Sequence, residues 1–472
     1  MSAVGFGTSG CISNTAHPSQ LTNAVRVDTK RHCDQEPSQS ISPPRRAFHA
    51  PSATRGEQSV LLPNAVSPAA TASLTTRIMA SAGSVYIAES DLANLHKYKY
   101  SGIDKSLLSR YVLQHYWNAL VQLFPLWLAP NAITLIGFGF IVANFLTMLY
   151  YDPHLDQESP GWVYYSYGLG LWIYASLDAI DGKQARRTGA SGPLGEMFDH
   201  GCDSLNTTIG LLITSSIFGL GRTWWTVVSV WVGLCNFYLS TTEEYYTGTL
   251  YLSYISAPVE GLVLSSLTFA LTGYTGQGIW LQDYRSLLPL PTALHDWLPS
   301  APLNHLVVII SVGTISLTLF DSLLNVFQAR KRQGLPIASA LLSYVPFAAM
   351  SAVGYLWLAA SPELLRQHLV AFFVFVTFAF GFTVGRIIVA HVTKTPFPMA
   401  NMMLIPLTAG ALNANLAFYG LPCLIPMAYE KYYVYLCVVY SSLVYSHFAL
   451  TVIRQICDYL DIWCLKIKHK KA

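Results

Sequence analysis

Four aspartates lie within 26 residues, in the stretch "LDAIDGKQARRTGASGPLGEMFDHGCDS". Asp178 and Asp181 are three residues apart, and Asp199 and Asp203 are four apart. On a helix, either spacing places both side chains of a pair on one face. The segment between the pairs, "TGASGPLG", contains the Gly and Pro residues that predict a turn. A tight helical hairpin would therefore bring the four carboxylates together.

Converging carboxylates repel one another and need positive charge nearby. Two divalent cations would supply it, and an oxygen-only ligand set favours Mg²⁺ or Mn²⁺. Paired metals of this kind clamp phosphate oxygens in phosphoryl transfer. Gly182, Ala185 and Gly195 are small enough to leave room for a nucleotide, and Arg186 could hold a phosphate with its planar guanidinium. A solvated loop with scattered charge is the simpler alternative, but it does not explain the 3 and 4 spacing of the acids.

The composition is that of a membrane protein. The chain has 472 residues, of which 52% are hydrophobic and only 11% are charged, and its mean hydropathy is +0.39. Soluble domains average about 25% charged residues. A net charge of +3 argues against a nucleic-acid partner. The eight cysteines form no CxxC pair, so free thiols are favoured over a disulfide framework.

Ten apolar runs have about the length that crosses a bilayer as a helix. They are about 131–151, 161–180, 203–221, 223–241, 256–273, 304–328, 336–360, 368–391, 399–420 and 431–453. With ten spans, the basic segments "GKQARR", "QARKRQG" and "KIKHKK" fall on one side, which places the acidic turn and both termini in the cytosol. The predicted fold is an all-α membrane protein of about ten transmembrane helices, with an N-terminal amphipathic helix over 106–125. That helix would lie in the membrane interface or pack on protein as an ordinary amphipathic helix.

The chain is expected to divide into four parts. Residues 1–90 are poor in aromatics and rich in Ser, Thr, Ala and Pro, which predicts a disordered tail. The region 91–130 holds the interfacial helix, and 131–335 holds the catalytic helices. Residues 336–472 would add transmembrane helices for packing or dimerisation and a cytosolic basic tail.

The acidic stretch reads D-x₂-D-G-x₂-A-R-x₈-G-x₃-D-x₃-D, which resembles the signature of the CDP-alcohol phosphotransferases. Over about residues 95–465 the chain most resembles the eukaryotic choline/ethanolamine branch. The supporting segments are "APNAITLIGF" (129–138), "FDHGCDS" (198–204), "EEYYTGTLYL" (243–252) and "APVEG" (257–261). The resemblance implies that phosphocholine or phosphoethanolamine passes from CDP-choline or CDP-ethanolamine to diacylglycerol, which releases CMP.

The resemblance also implies roles for individual residues. The four aspartates would hold two metals, with Asp178 and Asp199 bridging them. Asn131 and Arg186 would bind the CDP-alcohol, although an N-cap role explains Asn131 equally well. His200 is the expected general base, with Glu260 orienting its imidazole, and Asp203 is the alternative base. Glu243 and Glu244 are expected to be structural, with contact to the nucleotide as the alternative.

Three other functions remain as alternatives. A membrane prenyltransferase also uses aspartate pairs and Mg²⁺, but its motifs lie far apart in sequence. Another CDP-alcohol phosphatidyltransferase, with an inositol or glycerophosphate acceptor, would share the acidic core. A multi-pass transporter would use the acids as a cation site. The resemblance further implies an integral membrane enzyme of the endoplasmic reticulum or Golgi with a cytosolic active site, and a homodimer is a candidate assembly.

Overall fold

The computed structural model describes residues 86–252, 258–287, 291 and 297–468. Within these ranges the chain is mainly helical, as the sequence predicts. Nearly all of the tail predicted to be disordered, residues 1–85, lies outside the described residues.

Fifteen α-helices are present in the described ranges, some of them only one or two turns long. In chain order they are α1 (Glu89–Leu92), α2 (Gln114–Leu120), α3 (Pro130–Tyr151), α4 (Gly161–Thr188), α5 (Pro193–Ile217), α6 (Trp224–Thr247), α7 (Pro258–Thr275), α8 (Tyr284–Leu287), α9 (Leu303–Arg332), α10 (Ala338–Leu342), α11 (Val345–Ala360), α12 (Pro362–Gln367), α13 (Leu369–Thr393), α14 (Leu404–Phe418) and α15 (Glu430–Leu460). Two short strands, β1 (Gly102–Asp104) and β2 (Leu250–Leu252), pair in parallel.

Within the described ranges, five helical segments are long and apolar enough to cross a membrane, so the protein is an integral membrane protein. They are Pro130–Tyr151, Leu303–Arg332, Ala338–Ala360, Leu369–Thr393 and Met427–Leu460. Each of the other five predicted runs also overlaps a helix. The apolar parts of α4 and α6 are rich in Tyr, Trp, Gly, Ser and Thr, which lower their mean hydropathy, and α14 has only 15 residues.

The turn between α4 and α5 folds as the sequence predicts. Gly189 follows the last residue of α4 with φ +67°, a left-handed conformation in which a side chain is strained. Pro193 occupies the first turn of α5, where its missing N–H costs no hydrogen bond. The two helices are thus joined by a short, sharp connection at the level of the acidic residues.

Helix α13 lies at the centre of the helix assembly. It packs against α5, α6 and α15, and most of its surface is buried, including a run of phenylalanines from Phe372 to Phe382. On the opposite side of the acidic turn, α4 packs against α3 and α7. Helix α7 approaches so closely that a Cβ at Gly161 would lie 2.7 Å from the carbonyl oxygen of Gly273. Of the C-terminal helices, α13 packs directly on the acidic hairpin, through α5.

The predicted amphipathic segment, 106–125, is a mixed helix. A π-helical turn over Ser109–Leu113 leads into α2, and a 3₁₀ turn follows. Leu113, Trp117 and Val121 form its buried face, which packs against α3 and α4. Leu108, Val112, Tyr116 and Leu120 also recur at helical spacing along this segment, but Val112 and Tyr116 are exposed. Its location in the membrane interface stays a prediction.

The loop between α3 and α4 contains a fully buried carboxylate, Asp152. Its Oδ1 accepts hydrogen bonds from the backbone N–H groups of residues 156 and 157, and its Oδ2 accepts one from the Ser216 hydroxyl. Burial raises the pKa of Asp152 to about 6 in spite of these bonds, because desolvation disfavours the charged form.

Candidate active site

Three of the four predicted aspartates come together where α4 and α5 face each other. Carboxylate oxygens of Asp178, Asp181 and Asp199 all lie within 4.8 Å of one another. Asp203 lies one turn further along α5, and its Oδ1 accepts a hydrogen bond from the Tyr174 hydroxyl. Asp181 is held in turn by the Thr134 hydroxyl of α3. Helices α3, α4 and α5 together position the cluster.

Two of the clustered oxygens lack a donor. Asp178 Oδ1 and Asp199 Oδ1 are buried and have no hydrogen-bond partner among the described residues. Buried carboxylate oxygens without partners are costly, and adjacent carboxylates repel. A set of oxygen donors at this spacing fits divalent cations such as Mg²⁺ or Mn²⁺. The aspartates are the residues that would hold the metal.

The aspartates face a cavity of about 2560 Å³. Ten of the eleven predicted site residues line it: Asn131, Asp178, Asp181, Gly182, Ala185, Arg186, Gly195, Asp199, His200 and Asp203. An added Cβ at Gly195 would meet no atom nearer than 4.0 Å, and one at Gly182 none nearer than 3.7 Å. These glycines therefore border open space, as expected for residues that leave room for a ligand.

The neighbouring arginines Arg186 and Arg187 have different surroundings. The Arg187 guanidinium donates to the carbonyl oxygens of Val121 and Phe124, so it anchors α4 to the segment before α3. Arg186 makes no hydrogen bond or ion pair within the described part of the chain, and it lines the cavity. Its fork of donors is available for an anionic ligand such as phosphate.

Asn131 is not the N-cap residue that its sequence position suggests, but it does have a structural role. The N-cap of α3 is Ala129, and Asn131 lies within the first turn. Its Nδ2 donates to the carbonyl oxygen of Cys464 at 3.1 Å, so it ties the start of α3 to the C-terminal segment. Residues 460–464 and 466–468 of that segment form part of the cavity wall.

His200 faces a different carboxylate from the one expected. Its Nδ1 lies 3.7 Å from Oε2 of Glu244, and both side chains are buried. Glu260 accepts hydrogen bonds from the Ser106 hydroxyl and the Leu108 N–H. Glu260 is also the one predicted site residue outside the cavity lining in the described chain. The expected pairing of His200 with Glu260 is therefore not found, and Glu244 occupies that position.

A second group of polar residues borders His200, and the sequence does not predict it. Glu196 of α5, Glu244 of α6 and His391 of α13 place ligand atoms within 4.8 Å of one another. Tyr98 donates its hydroxyl hydrogen to Glu196 Oε2. Burial and the Glu196 carboxylate raise the pKa of the Tyr98 hydroxyl, so it stays protonated as a donor. In the sequence, Glu196 precedes Asp199 by three residues on one helix face and Glu244 lies in "EEYYTGTLYL", but neither feature indicates contact with His391.

Comparison with known proteins agrees with this geometry. Residues 127–277, which include the aspartate cluster, match the model of the CDP-alcohol phosphatidyltransferase family. The chain belongs to that family. It is 37% identical to cholinephosphotransferase 1 of Saccharomyces cerevisiae, over 82% of this chain and 99% of that protein. It is 36% identical to choline/ethanolaminephosphotransferase 1 of Arabidopsis thaliana over 82% and 100%, and 32% identical to human ethanolaminephosphotransferase 1 over 83% and 97%.

Proposed function

We propose that this protein transfers phosphocholine or phosphoethanolamine from the CDP-alcohol to the free hydroxyl of diacylglycerol. The products are phosphatidylcholine or phosphatidylethanolamine and CMP. The enzyme class follows from the relatives, which are choline- and ethanolaminephosphotransferases aligned over more than four fifths of the chain.

The observation that carries the proposal is that, among the described residues, Asp178 Oδ1 and Asp199 Oδ1 have no hydrogen-bond partner and the nearby Arg186 guanidinium has no hydrogen bond or ion pair. The four aspartates would hold two Mg²⁺ or Mn²⁺ ions. Bound there, the ions would neutralise charge that develops on the phosphate oxygens of the CDP-alcohol. Arg186, one helical turn beyond Gly182 on the helix that carries Asp178 and Asp181, would hold the diphosphate.

His200 supplies the base in this scheme. Because its Nδ1 faces Glu244, Nε2 is the nitrogen that would accept the proton of the diacylglycerol hydroxyl. Glu244 would keep the ring in that tautomer and stabilise the imidazolium that forms. We place Glu244 in the orienting role that the sequence assigned to Glu260. Asp203 is the alternative base, although its Oδ1 already accepts a bond from Tyr174.

We also propose how the chain is arranged in the membrane and which organelle contains it. All ten predicted runs would span the membrane, with the acidic turn and both termini cytosolic, in the endoplasmic reticulum or Golgi. A cytosolic cavity at membrane depth suits a water-soluble CDP-alcohol and a lipid alcohol alike. Residues 131–335 would form the catalytic helices, with the helices of 336–472 packed around them, and a homodimer is a candidate assembly.

The test is CMP and phospholipid production by the purified protein in mixed micelles with diacylglycerol. CDP-choline and CDP-ethanolamine are supplied separately, with Mg²⁺, with Mn²⁺ or with EDTA. We expect metal-dependent CMP release, and its loss in Asp199→Ala and His200→Gln. Full activity of His200→Gln would move the base to Asp203. Absence of CMP with both donors in the folded wild type would overturn the assignment, and inositol or glycerophosphate acceptors with CDP-diacylglycerol would then be tested.

A further inference from the structure

Glu196, Glu244 and His391 meet on three different helices beside the proposed reaction site. His391 Nε2 lies 3.8 Å from Glu196 Oε1, and the ligand atoms of all three residues lie within 4.8 Å of one another. All three side chains are more than nine-tenths buried. The group is distinct from the aspartate cluster, whose ligands are carboxylates alone.

One oxygen in this group has no donor. Glu196 Oε2 accepts the Tyr98 hydroxyl hydrogen, but Oε1 is buried without a hydrogen-bond partner in the described chain. It points at the His391 ring, which offers a nitrogen to the same space. A buried carboxylate oxygen left unsatisfied in this way calls for a ligand.

The two carboxylates of the group oppose each other. Glu196 and Glu244 are close enough to repel, and the nearby Lys394 opposes that repulsion at both. A divalent ion bound between the two carboxylates would offset the repulsion.

The ligand atoms of the three side chains lie within 4.8 Å of one another, so a single ion could contact all of them. Zinc or manganese binds nitrogen and oxygen ligands at about 2.1 Å, so two ligands of one tetrahedral ion are separated by about 3.4 Å. The 3.8 Å between His391 Nε2 and Glu196 Oε1 is close to that spacing. An organic ammonium would hold the ligands further apart, and His391 does not line the cavity from which such a group would enter.

We propose that Glu196, Glu244 and His391 bind a divalent transition-metal ion, Zn²⁺ or Mn²⁺, separate from the ions at the aspartates. The imidazole nitrogen favours these metals over Mg²⁺, which prefers oxygen alone. A carboxylate offers two oxygens, so Glu244 can face His200 with one and the metal with the other. The ion ties α13, outside the segment matched by the family model, to α5 and α6.

The first test needs no variant. Wild-type protein is loaded with Mn²⁺ and its nitrogen couplings are recorded by pulsed electron paramagnetic resonance. The aspartate cluster has only oxygen ligands, so a directly bound ¹⁴N reports the site that contains His391. The signal is expected in the wild type and also in the double variant Asp178→Asn/Asp199→Asn. Absence of ¹⁴N coupling in both proteins would overturn the proposal.

The second test counts ions. Protein incubated with Zn²⁺ is freed of excess metal by gel filtration, and zinc per chain is measured by mass spectrometry. Glu196→Gln and His391→Phe should each hold one ion fewer than the wild type, whereas the aspartate double variant keeps this ion. Glu430→Gln is the matched control, because both oxygens of that buried glutamate are bonded, by Trp357 and Ser361.

Equal zinc content in the wild type, Glu196→Gln and His391→Phe would refute the site, provided that the variants elute as the wild type does. Both readouts are independent of turnover. Failure of the CMP assay therefore leaves this result standing, and failure here leaves the phosphotransferase assignment standing.

Discussion

Replacing Arg186 by Ala should impair turnover and leave the fold unchanged. The guanidinium lines the cavity and makes no hydrogen bond or ion pair with the described residues, so its removal breaks no internal contact. If it holds a phosphate of the CDP-alcohol, the variant loses at least one charge-assisted hydrogen bond. Such a bond contributes about 1.5–3 kcal/mol.

That energy sets the size of the effect. Each 1.36 kcal/mol is about tenfold in rate, so kcat/KM for the CDP-alcohol should fall about 10- to 150-fold. Arg186→Lys keeps the charge without the planar fork and should lie between the wild type and Arg186→Ala. The unfolding midpoint of Arg186→Ala should stay within about 2 °C of the wild type, as for surface substitutions.

Arg187→Ala is the matched control at the next position. This side chain donates to Val121 O, Phe124 O and Gln184 Oε1, so its loss frees carbonyl groups and loosens the segment before α3. Its midpoint should drop by several degrees. The assay is CMP release at varied CDP-alcohol concentration, with thermal unfolding measured on the same samples. An Arg186→Ala protein with unchanged kcat/KM, or one destabilised as much as Arg187→Ala, would refute the phosphate-binding role.

Three further predictions concern single side chains. Asp199→Asn removes a buried carboxylate whose Oδ1 has no hydrogen-bond partner among the described residues, so it should lower metal-dependent CMP release at least about 100-fold, yet raise the unfolding midpoint of EDTA-treated protein. Gly195→Ala adds a methyl group that meets no atom nearer than 4.0 Å, so the fold should survive while KM for the CDP-alcohol rises several-fold in steady-state assays. Asp152→Asn should stabilise the protein at pH 7.5 by on the order of 1–3 kcal/mol, measured by thermal unfolding, because the amide can keep the bonds to residues 156, 157 and Ser216 without the buried charge.

The pH dependence of the Asp152 effect follows from linkage. Its native pKa is raised from 3.8 to about 6, so the folded state binds the proton more tightly than the unfolded state does. The destabilisation by wild-type Asp152 is therefore full above about pH 6 and disappears toward pH 4. The advantage of Asp152→Asn should shrink over the same range, and a constant advantage would contradict this explanation. The Asp199→Asn prediction would be contradicted by a lower unfolding midpoint of the variant in EDTA. The Gly195→Ala prediction would be contradicted by an unchanged KM for the CDP-alcohol.

The acidic hairpin could be predicted because its information is local. The 3 and 4 spacing of the aspartates and the Gly/Pro turn act within one helical hairpin, and the structure places Asp178, Asp181 and Asp199 together accordingly. The partners of His200 could not be predicted in the same way. Glu244 and Glu260 are both acids near helix ends, and only the packing of α5 against α6 selects Glu244.

Long-range packing also explains why the contacts of His391 and Tyr98 with Glu196 could not be predicted from the sequence. His391 follows an apolar run like those of the other spans, and nothing near it in sequence indicates contact with Glu196. Tyr98 precedes Glu196 by 98 residues and reaches it from the segment after α1. The last spans were expected to serve packing or dimerisation, yet α13 brings His391 to the side of the proposed base. Such contacts depend on how helices cross, which periodicity does not encode.

The hydrogen bond from Asn131 to Cys464 bears on when during its synthesis the protein can become active. The aspartates and His200 are translated early, but the cavity wall formed by residues 460–464 and 466–468 emerges about 260 residues later. At 5–20 residues per second that delay is on the order of 10–50 s. During this interval the acidic hairpin of the nascent chain would lie in an open cleft, because the Asn131–Cys464 hydrogen bond that holds the start of α3 cannot yet form. Synthesis of residues 460–468, rather than insertion of the acidic hairpin, would then be the event that closes the site.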